Sequence, residues 1–109
     1  MKHDAARFAR KAAERNGWIL QPGTDFLQTV LGGLEKTREA HGYYLCPCRE
    51  GWGDIKRDRD IVCPCDYAGD DIAEYGQCYC GLFVSEEHAA SGREPEAIPD
   101  RRPEELYPD

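Results

Sequence analysis

Three observations in the sequence predict a small, mainly α-helical domain whose central loops gather around cysteine sulfurs. The chain has 109 residues, near the lower end of the range in which an apolar core alone gives comfortable stability, so residues 1–109 read as one domain that would gain from a staple. Its N-terminal part, as far as Gly42, carries apolar side chains at helical spacing. Its six cysteines all fall in Cys-x-Cys pairs set among Gly, Pro, Asp and Arg.

Each element follows in order. Residues 3–16 place Ala5, Phe8, Ala9, Ala12 and Ala13 on one side, with Arg7, Arg10, Lys11 and Arg15 elsewhere, and end at Asn16 and Gly17, which is an amphipathic helix with a C-terminal stop. After "WILQPG", Thr24 and Asp25 are expected to cap a second helix. Its apolar positions Phe26, Leu27, Val30, Leu31 and Leu34 continue past Gly32 and Gly33 to His41 and Gly42. Two glycines inside a helix predict close packing against a neighbour. From Tyr43 the helical period fades into loop, with "DIAEYG" (71–76) reading as a single helical turn. "SEE" at 85–87 starts a further helix, and Pro95, Pro99 and Pro103 cut later ones short. The composition of 85–109 is that of a flexible, acidic, proline-containing extension, which is expected to lie along the surface.

Charge and patterning exclude several classes. The formal charge is −7, which argues against general nucleic-acid binding, since that needs clustered Lys and Arg. Residues 85–109 hold 3 basic and 8 acidic side chains, against 11 and 13 in residues 1–84, so most of the excess acid belongs to the tail. No stretch reads as an export signal or a membrane span, and the expected location is the cytoplasm. "LGGLEK" (31–36) lies within a helix and lacks the spacing of a dinucleotide or phosphate loop. Nicotinamide and flavin are not expected.

The cysteines are Cys46 and Cys48, Cys63 and Cys65, and Cys78 and Cys80. In an extended chain, residues at i and i+2 lie roughly 6.5 Å apart and point the same way, at a rise of about 3.3 Å per residue; a tight turn brings their sulfurs closer. Pro47 and Pro64 stiffen the first two pairs before any ligand binds. In a reducing compartment, metal binding or redox chemistry explains such cysteines better than structural disulfides. A tetrahedral zinc site uses four thiolates and leaves two over. A [4Fe-4S] cluster also takes four, and the remaining two can form a redox-active disulfide. Three structural disulfides would also use all six.

With those motifs in view, the chain resembles the catalytic subunit of ferredoxin:thioredoxin reductase, and more closely the bacterial and archaeal relatives described as ferredoxin:disulfide reductases. The resemblance runs from about Phe8 to Val84. It comprises two N-terminal helices, then "CPCR", "CPC" and "CYCGLFV". It implies a [4Fe-4S] cluster held by Cys46, Cys63, Cys65 and Cys78, with Cys48 and Cys80 as the redox-active disulfide. Cys48 would be the exposed nucleophile and Cys80 would sit against the cluster. The family's plant-type members have histidine where this chain has Tyr79, and a shorter interval between the second and third pairs. Tyr79 is expected to pack its ring over the cluster, since a phenol with a pKa of about 10 is a slow proton shuttle at neutral pH.

The implied partners are a ferredoxin as electron donor and a thioredoxin- or glutaredoxin-like protein as disulfide substrate; a small variable subunit, as in plant-type enzymes, is allowed but not required. Reducing thioredoxin from ferredoxin is downhill by about 130 mV, or roughly 6 kcal/mol over two electrons. An acidic donor needs a local basic patch, for which "IKRDR" (Lys56, Arg57, Arg59) with Arg49, or Arg7, Arg10, Lys11 and Arg15, are the candidates. Trp18 and Trp52 read as packing residues, and His3, His41 and His88 as surface or capping residues. A zinc-stapled interaction module and a simple electron-transfer ferredoxin are the competing readings; the latter leaves Cys48 and Cys80 without a role.

Overall fold

The computed structural model describes residues 4–108. The chain runs α1 (Ala5–Asn16), β1 (Ile19–Leu20), α2 (Thr24–His41), α3 (Ile55–Asp58), a 3-10 turn (Arg59–Ile61), α4 (Ala68–Tyr75), β2 (Phe83–Val84), α5 (Glu86–Ser91) and a second 3-10 turn (Glu104–Leu106). It is a small, mainly helical fold, as the periodicity predicts. Among the described residues no helix is long and apolar enough to cross a membrane.

Ala5, Ala9, Ala12 and Ala13 form the buried stripe of α1, and such small side chains let the helix lie close to the rest of the core. The Asp4 carboxylate accepts from the Arg7 amide, and Gly17, at φ 72°, ends the helix in the left-handed conformation. His3 and the expected start of the helix at residue 3 lie outside the described residues. α2 buries Val30, Leu31 and Leu34. Thr24 and Asp25 do not cap it: Gly23 is the capping residue, without a side-chain bond, and Asp25 sits in the first turn, where a carboxylate suits the helix dipole. Of its two glycines, one packs closely. A Cβ on Gly33 would come within 2.9 Å of the Pro47 side chain, whereas one on Gly32 would meet nothing.

Three features depart from the expected course. β1 pairs antiparallel with β2, Ile19 facing Val84 and Leu20 facing Phe83; strands of two residues are too short for an alternating pattern to show. The helix expected as one turn at 71–76 extends back to Ala68, because Ala68 and Ile72 are buried together. His88 is 3 % exposed, so it is a core residue of α5 rather than a surface one. Ser85 caps α5 by accepting from the His88 amide, as its sequence predicts.

Among the described residues the tail beyond α5 has one 3-10 turn and otherwise no regular structure, yet it lies along the body. Arg102 donates to both Asp60 oxygens at 2.9 and 3.2 Å. Gln77 exchanges hydrogen bonds with the Glu96 backbone in both directions. Arg101 pairs with Asp71 and Glu74, and the Trp52 indole donates to the Leu106 carbonyl at 2.7 Å.

A cysteine-lined candidate redox site

Local backbone pairing brings the three cysteine pairs together. Leu45 and Val62 form an antiparallel bridge, flanked by bonds from the Cys46 amide to the Ile61 carbonyl (3.0 Å) and from Cys63 to Tyr44 (2.8 Å). The first two pairs therefore lie side by side. The third is held by β2: Cys78 donates to the Phe83 carbonyl at 2.9 Å, and Gln77 bridges Val84. The first and third pairs each sit in a turn closed from i to i+3, Arg49 to Cys46 and Gly81 to Cys78. Gly81 requires its lack of a side chain: at φ 77°, a Cβ would lie 2.9 Å from the Phe26 ring.

The surroundings fix these loops. Thr37 of α2 accepts from the Leu45 amide at 3.0 Å and donates to the Leu34 carbonyl at 2.8 Å. Asp58, fully buried, accepts from the Tyr43 hydroxyl and from the Trp52 and Gly53 amides. Gln21 donates to the Gly81 carbonyl at 3.1 Å. Nothing local in the sequence marks Asp58 or Gln21, because each bonds to residues whose nearness is set by the fold.

All six cysteines are free thiols, and their exposure is unequal. Cys48 is exposed, Cys65 is half-buried, and Cys46, Cys63, Cys78 and Cys80 are buried. Cys46, Cys63, Cys65, Cys78 and Cys80 line one small cavity with Pro64, Ala68, Tyr79 and Phe83. Burial pushes the Cys63 thiol well above its ordinary range, and the neighbouring sulfurs of Cys46, Cys78 and Cys65 push the same way. Burial likewise raises Cys65 to about 11, against the pull of Arg49. Cys80 is a second meeting point: hydrogen bonds with Cys46, Cys48 and Cys78, and then burial, raise its thiol well above the ordinary range. Its sulfur lies 3.8 Å from that of Cys78. The hydrogen bond from Cys80 lowers Cys48 to about 7, with Arg49 assisting against partial burial. A thiol at that value is substantially thiolate at neutral pH and suited to nucleophilic attack.

Arg49 is the residue that the sequence reading misplaced. It is 6 % exposed, so it cannot belong to a docking patch. Its Nη1 donates to the Cys65 sulfur at 3.2 Å and reaches that of Cys46 at 3.7 Å, and its guanidinium lies 4.3 Å from the centre of the Tyr79 ring. Burial works against its charge, but the sulfurs of Cys46 and Cys65 and then Asp100 outweigh that and hold it protonated. Tyr79 thus packs on Arg49 at the cavity wall; burial raises its pKa, so its phenol stays protonated. Lys56, Arg57 and Arg59 are exposed, with Arg57 lying 4.6 Å over the Trp52 ring. Arg7, Arg10, Lys11 and Arg15 are exposed on α1. Trp18 packs against Phe83 at 5.2 Å, as a packing residue should.

Among the described residues no three His, Cys, Asp or Glu side chains close around a position for one metal ion. The sulfurs instead line a shared cavity, and a buried guanidinium points at two of them. Soft sulfur donors at the rim of a common space, with one cation beside two of them, are a donor set that suits an iron–sulfur cluster.

A helical body that gathers six free thiols, five of them around one cavity and one presented to solvent, is the layout of an oxidoreductase. Comparison with known proteins shows which kind. Residues 2–103 match the family described as ferredoxin thioredoxin reductase catalytic beta chain, and the chain belongs to that family. It is 29 % identical over 89 residues to the ferredoxin-thioredoxin reductase catalytic chain of Guillardia theta, spanning 79 % of this chain and 82 % of that one. It is 28 % identical over 82 residues to the catalytic chain of the same name from Porphyra purpurea, spanning 72 % of this chain and 65 % of that one.

Proposed function

We propose that this chain is a ferredoxin-dependent disulfide reductase acting on a thioredoxin- or glutaredoxin-like protein, of the ferredoxin:disulfide reductase branch and working in the cytoplasm as a single domain over 1–109. Cys46, Cys63, Cys65 and Cys78 hold a [4Fe-4S] cluster, and Cys48 and Cys80 form the redox-active disulfide. The observation that carries this reading is the grouping of the sulfurs. Cys63 feels the other three members of the ligand set, while Cys80 meets Cys46, Cys48 and Cys78 and so sits between the ligand set and Cys48, which alone is exposed. The names of the family and of both relatives support the two partners.

When bound, the cluster supplies one-electron storage beside a two-electron bond. Two ferredoxins each give one electron, and with two protons they convert the Cys48–Cys80 disulfide into two thiols. The Cys48 thiolate attacks the partner's disulfide, expelling one partner sulfur as a thiol and forming a mixed disulfide. Cys80 then attacks the Cys48 sulfur, releasing the second partner thiol and restoring the Cys48–Cys80 bond. Tyr79, held protonated, closes the cavity wall and is not a proton carrier at neutral pH. The exposed Lys56, Arg57 and Arg59 offer an acidic donor a complementary surface. A variable subunit is not needed for any of these steps.

The test is metal and sulfide content alongside ferredoxin-driven turnover. Anaerobically purified protein is expected to hold about four irons and four sulfides per chain. Cys48→Ser should keep them and lose turnover, and Cys63→Ser should lose them and part of its stability. Loss of iron from Cys48→Ser would overturn the ligand set, and stoichiometric zinc without sulfide would overturn the cluster.

A further inference from the structure

The guanidinium of Arg49 is held from two sides. Its side chain is fully buried. Toward the cavity it donates to Cys65 and Cys46. Toward the tail its Nε and Nη2 approach the same oxygen of Asp100, at 3.1 and 3.0 Å. The centres of the Tyr79 and Tyr67 rings lie 4.3 and 5.3 Å from it. Asp100 is held in turn: the Arg102 amide donates to it at 3.0 Å, and the Tyr107 hydroxyl donates to its other oxygen. A planar fork can address sulfur and carboxylate at once, which an ammonium group cannot do with the same rigidity.

We infer that Arg49 and Asp100 are a charge pair that sets the reduction potential of the site. Arg49 favours the electron-rich state of the sulfurs, and Asp100, supplied by the tail, offsets it. Hydrogen bonds to sulfur and nearby net charge are two of the terms that fix such potentials. The two residues work in opposite directions, and both are positioning residues, since their effect on the partner's disulfide passes through the cysteines. The inference rests on the cluster and disulfide assignment proposed above.

The test is a redox titration of anaerobically purified protein, read through the visible spectrum, with iron and sulfide measured on the same samples. Asp100→Asn keeps the shape of a side chain that is 26 % exposed. It is expected to make the potential less negative by about 60 mV, a tenfold change in the equilibrium constant of a one-electron couple. Arg49→Gln is expected to make it more negative. Opposite signs are the signature, because loosened loops would move both variants the same way. An iron-loaded Asp100→Asn protein with an unmoved or more negative potential overturns the inference, even where Arg49→Gln loses its iron. Wild-type protein lacking iron and sulfide overturns the proposed function instead, a result separate from a loaded protein whose potential does not respond.

Discussion

The two ends of the chain reach the same core by opposite means. α1 and α2 attach through Ala9, Ala12, Leu31 and Leu34, buried apolar side chains on regular helices. The tail after α5 attaches through Glu96, Asp100, Arg101 and Arg102, each finding a polar partner far away in sequence. Apolar packing is non-directional and indifferent to pH, whereas the tail's bonds depend on charge and on partners with matching geometry. The cysteine loops lie between these regions, buttressed by Gly33 and Thr37 of α2 on one side and by Asp100 on the other. One wall of the site is therefore permanent, and the other can be altered by chemistry.

The strongest way to sharpen the contrast is Leu34→Ala. Leu34 is fully buried, and its truncation is expected to remove about 2 to 5 kcal/mol of unfolding free energy. Urea melts at low and high salt should show the same loss. A loss confined to low salt would mean that the helical half also depends on charge. Next comes Arg102→Ala, which leaves Asp60 without its guanidinium and is expected to cost about 2 to 3 kcal/mol. Here proteolysis should nick residues 93–108 before the helices are cut. Simultaneous cleavage throughout would show that tail and body unfold as one unit.

A smaller effect comes from acid. Burial, and then Arg93, lowers the His88 pKa below its ordinary 6.5, so the unfolded chain takes up a proton that the folded chain refuses. Stability should therefore decline as pH falls below about 6.5. At Asp60, burial acts upward, but hydrogen bonds from Arg102 and Tyr67 win and hold the carboxyl below 3.8. Its contribution is intact above that value and fades only as pH drops through the lowered one. Chemical melts between pH 8 and 5 should show the first decline, and His88→Gln should flatten it. An unchanged slope in that variant would assign the decline to another group.

How much of this was readable follows from the kind of force involved. α1 and α2 were legible because burial imposes a helical period on neighbouring residues, and the Ser85 cap was legible because its bond spans three positions. The β1–β2 pair, the buried Asp58 and the attachment of the tail were not, since each depends on residues that only folding brings together. At the site, the pairing of the cysteines singled out the six residues that the fold gathers, five of them around one cavity. Arg49 was misread as a surface charge because nothing beside it in sequence reveals Asp100, 51 positions away. Tyr79 was expected to pack over the cluster; its ring lines the cavity and rests on Arg49, a contact hidden with Arg49 itself.

The placement of the two tryptophans has an optical consequence. Trp18 rests on Phe83, whose amide donates to the Cys78 sulfur at 3.3 Å, while Trp52 is tied to the tail at Leu106. Each half of the molecule thus carries its own intrinsic fluorophore. Loading an absorbing metal centre would quench tryptophan emission, and detachment of the tail would shift emission from Trp52 to the red, so a Trp18→Phe protein would separate the two events by intensity and by wavelength.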